Sequence, residues 1–129
     1  MYEPQYFSWE EFDCPSHEGS GRANMDYDFV RMLDKCRELA DVPFKITSGF
    51  RTAAHNKSLQ ERGFKASNNS AHLYGRAVDV AVTDSSARFK IIKAAISVGF
   101  SRIGVAKTFI HIDNMDESDN KPTGVAWLY

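Results

Sequence analysis

The sequence predicts one α+β domain with a small, mostly antiparallel central sheet and flanking helices. Three observations lead there. Apolar residues recur at helical spacing in three separated segments. Short β-branched runs lie between and after those segments, giving the order α-β-α-β-α-β-β. The 129 residues, 43% apolar and 26% charged, suffice for a core without disulfides or partner chains.

Taken in order, Tyr2 to Phe12 is rich in aromatics, and residues 1–25 read as an irregular arm over the core. Within it, Ser8 caps a short helical turn starting at Trp9, and Cys14-Pro15 through Gly21 reads as loop. Asp26 suits the N-cap of a helix reaching Ala40, with Phe29, Val30, Leu33, Cys36, Leu39 and Ala40 on its buried face. Pro43 ends that helix and leads into a short strand, Phe44 to Thr47, followed by a Ser48-Gly49 turn. A second helix runs from Thr52 or Ala53 to Arg62 and is closed by Gly63.

The polar stretch from Phe64 to Asn69 then leads into Ser70-Ala71-His72-Leu73-Tyr74-Gly75-Arg76-Ala77-Val78-Asp79. Ala77 to Val82 has the length and branching of a buried strand. Asp84 or Ser85 caps a third helix to about Val98, its stripe read as Phe89, Ile92, Ala95 and Ile96, and Gly99 stops it. Two strands follow, about 101–105 and 108–113, joined at Ala106-Lys107, a hairpin-length connection without the favoured turn residues. Met115 to Gly124 is polar loop, and Val125 to Tyr129 is a last edge strand.

Charge and composition exclude several function classes. A net charge of −1 with dispersed basic residues gives no electrostatic case for nucleic acid or an anionic membrane. No apolar run approaches the roughly 18 residues of a membrane span. Met1 to Glu11 has neither the basic flank nor the apolar run of a signal peptide. Cys36 fits a buried helical face as a reduced, structural thiol. Cys14 with His17 lacks the second cysteine of a zinc knuckle.

The chemistry concentrates in three places. His72 and Asp79 are seven residues apart around Gly75, and an imidazole and a carboxylate both suit a borderline cation such as zinc. In a strand over 77–82, Val78, Val80 and Val82 share one face and Asp79 lies on the other. A carboxylate there needs a cation or several donors to offset desolvation. Taken alone, pairing with Arg76 or a helix N-terminus would serve. His111 in Phe109-Ile110-His111-Ile112-Asp113 shifts the balance, because alternation turns the isoleucines toward the core and His111 with Asp113 toward a cleft. His55 at a helix start and His17 in a loop are poorer ligands.

The pattern Ser70-x-His72-x-x-Gly75-x-Ala77-x-Asp79 resembles the S-x-H-x-x-G-x-A-x-D motif of M15-type zinc peptidases. Ser48-Gly49-Phe50-Arg51 with His55-Asn56 resembles the segment preceding it, and His111-x-Asp113 resembles a short H-x-D branch. The resemblance runs from about Tyr6 to the C-terminus. It implies the M15 or hedgehog-like fold, one Zn2+ held by His72, Asp79 and His111, and hydrolysis in peptidoglycan stem peptides at a D-Ala-D-Ala or L-Ala-D-Glu bond. Arg51 matches the arginine over the substrate carbonyl, and Ser70 is a candidate substrate contact.

Where other members carry an acid three residues before the histidine, this chain has Thr108, which cannot accept a proton. Asp113 is the nearest carboxylate, and two roles are open to it. It is either the catalytic acid-base or the hydrogen-bond partner that fixes His111. The resemblance therefore carries an alternative, a zinc-binding domain of the same fold that binds cell-wall peptides or a protein without hydrolysis. A structural domain of a virion or secretion machine, without metal, is a further rival. The implied context is a monomer acting on the cell wall, for which a phage lysis enzyme released from the cytoplasm is one route.

Overall fold

A computed structural model describes residues 2–129. Its centre is a five-stranded sheet: β1 (Lys45–Ser48), β2 (Ala77–Ala81), β3 (Arg102–Val105), β4 (Phe109–Asp113) and β5 (Val125–Leu128). The spatial order is β1-β2-β4-β3-β5. Three of the four pairings are antiparallel, and β5 runs parallel to β3. The fold is the expected α+β class.

Four helices accompany the sheet: α1 (Ser20–Asn24), α2 (Tyr27–Ala40), α3 (Ala53–Glu61) and α4 (Ser85–Ser97). Their starts follow from short polar caps. Asp26, Thr52 and Asp84 each accept a hydrogen bond from a backbone N–H of the following turn. None of the helices among the described residues is long and apolar enough to cross a membrane.

Alternation in the strands gives the sheet two different faces. Val78 and Val80 of β2, Ile103 of β3, and Ile110 and Ile112 of β4 are buried in a core shared with Phe29, Leu33 and Cys36 of α2 and Ile91 of α4. Burial pushes the Cys36 thiol up to about 12, and both cysteines are free thiols. The opposite face carries polar and aromatic side chains. The register aligns Ser48, Asp79, His111, Gly104 and Trp127 as one row across all five strands. A register irregularity in β1 between Ile46 and Ser48 brings Ser48 opposite Asp79.

Several expectations need correction. The stripe of α4 is rotated: Ala95 is buried and Ile92 packs against the core as expected, but Phe89 and Ile96 are 65% and 61% exposed, and Ile91 and Ala94 are buried instead. Periodicity weighted the large residues, but the alanines allow α4 to approach α2 closely. Leu39, placed on the buried face of α2, is 60% exposed. Residues 20–24, within the segment read as an irregular arm, form α1. The arm itself is fastened, because the Gln5 and Tyr6 N–H groups and the Tyr2 hydroxyl all donate to the carboxylate of Asp34.

Gly75 joins the two halves of the central motif. It ends a 3-10 turn, Ala71–Tyr74, with φ of 67°, a conformation glycine adopts without cost. A Cβ there would lie 2.1 Å from the Asn24 carbonyl oxygen. Gly75→Ala is therefore expected to destabilise the protein by roughly 2 kcal/mol or more. Urea denaturation monitored by circular dichroism measures it.

Candidate metal centre and its cleft

His72 reaches the site from the 3-10 turn after Ser70, whose Oγ accepts the His72 backbone N–H at 3.3 Å. The imidazole Nδ1 lies 2.8 Å from the Gly49 carbonyl oxygen. A carbonyl can only accept, so Nδ1 carries a proton and Nε2 points its lone pair into the site. That Nε2 is buried and without a hydrogen-bond partner.

His111 is oriented from the other side. Its Nε2 donates to Asp113 Oδ2 at 2.6 Å, so Nδ1 faces the centre, 3.1 Å from Asp79 Oδ1. The same Asp79 oxygen lies 3.3 Å from His72 Nε2. One nitrogen from each histidine and one Asp79 oxygen thus lie within 4.8 Å of one another. The expected partners of a lone Asp79, Arg76 or a helix N-terminus, are not used: Arg76 bonds Asn114 and Asp119 instead.

The protonation pattern shows what this arrangement lacks. Burial lowers the pKa of His72 and outweighs the nearby Asp79 charge, so its imidazole is neutral near pH 7. Burial acts the same way on His111, but Asp113 and then Asp79 outweigh it and raise its pKa. Burial would raise the Asp79 pKa, yet its contacts with the two imidazoles, above all the hydrogen bond from His111, hold it far below the usual carboxylate range. A proton on His111 Nδ1 therefore satisfies one contact with Asp79. The lone pair of His72 Nε2 still faces an anionic oxygen. A divalent cation among these three atoms would satisfy all of them, and two imidazoles with one carboxylate suit zinc.

The supports are as informative as the cluster. Arg51 donates through Nε to Ser48 Oγ (3.1 Å), through one terminal nitrogen to Asn56 Oδ1 (3.3 Å), and through the other to Asp79 Oδ2 (3.4 Å). Its backbone N–H also donates to the His72 carbonyl. Asp113 is buried, and its Oδ1 accepts from Arg102 Nε (2.8 Å) and the Met115 N–H (3.1 Å). Both oxygens of Asp113 are thus engaged.

The cluster sits in a cleft of about 890 Å³. Arg51 and Ser70 line it together with His55, Lys65, Trp127 and Tyr129. Thr108 is exposed beside the hairpin turn, and His17 packs outside this lining, against Ser16. Burial, then the charges of Arg51 and Arg62, lower the His55 pKa.

Sequence reasoning gave no role to Asn56, Arg102, Gly104 or Trp127. Asn56 stands in the segment resembling the family, but nothing local showed that it bridges Arg51 and the Ser67 carbonyl. Gly104 carried a signal, since glycine inside a strand marks close approach by another group. Arg102 had none.

Fold and site together define a small α+β domain with a buried His–Asp–His cluster at the floor of a cleft. The chain belongs to the peptidase M15 family, whose model it matches over residues 5–113. Among solved structures, it is similar to the L-Ala D-Glu endopeptidase ChiX of Serratia marcescens, with a TM-score of 0.57 and 20% identity. That superposition covers 74% of this chain and 84% of the other, a likeness of fold. No curated protein matches the sequence significantly.

Asn56 is 4% exposed and serves both Arg51 and the loop at Ser67. Asn56→Ala is expected to cost roughly 1–3 kcal/mol by leaving these groups unpartnered. The shift in the urea midpoint at unchanged slope would measure that loss.

Proposed function

We propose that this protein is a zinc-dependent peptidase acting on peptidoglycan stem peptides, at a D-Ala-D-Ala or L-Ala-D-Glu bond. The observation that carries the reading is the convergence of His72 Nε2, which has no hydrogen-bond partner, with His111 Nδ1 and Asp79 Oδ1 in an M15 chain. These atoms would hold one Zn2+. When bound, zinc acts as a Lewis acid toward the scissile carbonyl and lowers the pKa of water to about 7.

The chain's own residues supply the rest. Arg51 keeps its charge at the cleft wall; three of its five N–H groups are used internally, and the others can meet a carbonyl oxygen that gains negative charge. Ser70 accepts from His72 N–H and retains its own hydroxyl proton to donate to the peptide. Asp113 Oδ2 holds the Nε2 proton of His111 and so keeps Nδ1 directed inward. We assign Asp113 this positioning role in place of the proton shuttle. The substrate places the site of action at the cell wall, with release as a phage lysis enzyme one route to it.

A second reading has an observation in its favour. Among the described residues, Asp79 and Asp113 are the only acidic side chains lining the cleft, and both are engaged. A zinc-binding domain that holds cell-wall peptides without cutting them fits that fact. Metal analysis of the purified protein, followed by chromatography of muropeptides after incubation, separates the readings. One zinc per chain and a new D-alanine or cleaved L-Ala-D-Glu product are expected, and His72→Ala should lose both. Zinc without product from either bond type would establish the binding domain, and a chain that takes up no zinc would overturn both readings.

The pH dependence has a definite sign. Zinc must displace the proton that the two carboxylates hold on His111, so binding releases a proton. Affinity is expected to fall by about tenfold per pH unit below the raised His111 pKa and to flatten above it. Competition with a chromophoric chelator between pH 6 and 8.5 would trace this curve.

A further inference from the structure

Trp127 lies beyond the residues that match the family, yet it touches both ends of the hydrogen-bonded chain behind His111. Its ring centroid is 5.4 Å from that of the His111 imidazole. The Arg102 guanidinium carbon lies 5.0 Å from the same indole. Between them Arg102 Nε donates to Asp113 Oδ1, and Asp113 Oδ2 takes the His111 Nε2 proton. The indole thus packs against both ends of a chain of three polar groups.

Gly104 makes that contact possible. It stands between His111 on β4 and Trp127 on β5 in the cross-strand row. With no side chain at Gly104, the indole crosses over β3 to reach β4. A Cβ at this position would lie 2.6 Å from Trp127 Nε1 and 2.7 Å from Tyr129 Cε2. The other face of β5 does not join the core, because Leu128 is 84% exposed and no β5 residue belongs to the core cluster. The side-chain packing of this strand is therefore directed toward the cleft.

We propose that Trp127 is a positioning residue, whose indole, admitted by Gly104, clamps the Arg102–Asp113–His111 chain and holds His111 with Nδ1 facing the centre. An indole packed against the imidazole at a tilt of 50° restricts rotation of the ring and shields from water its bond to Asp113, which is stronger for that shielding. Stacking on Arg102 restrains the guanidinium that orients Asp113. The consequence for metal binding rests on the zinc-peptidase reading; the positioning of His111 does not.

The test uses the full chain with ¹⁵N-labelled histidine. In the metal-free wild type, His111 is expected to show a downfield Nε2–H resonance from its bond to Asp113. Trp127→Ala should broaden or lose that signal, Trp127→Phe should largely keep it, and Gly104→Ala should weaken it by displacing the indole. Zinc affinity, measured by chelator competition, should fall about tenfold or more in Trp127→Ala, as for other loss of support behind a ligand. A purely structural role would lower the melting temperature and leave the His111 resonance and the affinity of the folded protein unchanged. That outcome would overturn the proposal. If Trp127→Ala does not fold, Gly104→Ala and Trp127→Phe decide by the same two readouts. A wild type that binds no zinc would refute the functional reading, and the His111 resonance would still decide this one.

Discussion

Asp79 Oδ1 stands 3.1 Å from one imidazole nitrogen and 3.3 Å from another, with too few protons to satisfy both contacts. The Gly49 carbonyl fixes the proton of His72 on the far side of its ring, and Asp113 fixes a proton of His111 likewise. Each histidine is therefore turned so that a nitrogen faces the same anionic oxygen. Buried acceptors facing one another are costly unless a cation joins them. Much of the surrounding architecture serves to hold this arrangement in place.

The sheet supplies the spacing. Antiparallel pairing places Asp79 directly opposite His111, and the two neighbouring strands add Ser48 on one side and Gly104 on the other. Valine and isoleucine on the reverse face anchor these strands in the core. The third member, His72, comes from the short turn that Gly75 ends. Its position depends on a left-handed glycine packed against Asn24 and Met25.

Charge balance is arranged in layers. Two carboxylates face the histidines from opposite sides, and each is met by an arginine, Arg51 at Asp79 and Arg102 at Asp113. The arginines offset part of the cost of burying the acids and fix their oxygens in direction. Asp113 is thereby committed to its neighbours. That commitment is why the same cleft reads well as a cation site and less completely as a proton-transfer site.

The sequence by itself determined the α+β class, the helix cap at Asp26, the starts of the next two helices to within a residue, and the alternation that turns Asp79, His111 and Asp113 away from the core. These are local properties, set by side-chain periodicity and by the chemistry of short polar residues. It named His72, Asp79 and His111 as candidates because their residue types and spacing are informative without coordinates. It misjudged part of the buried face of α4, Phe89 and Ile96, since burial there depends on how closely α2 approaches and not on side-chain size. Tertiary structure alone decided which nitrogen of each histidine faces inward, that both oxygens of Asp113 are engaged, and that Arg102 and Trp127 stand behind His111. Those outcomes depend on strand order and register, which bring together residues from distant parts of the chain, and no local pattern encodes them.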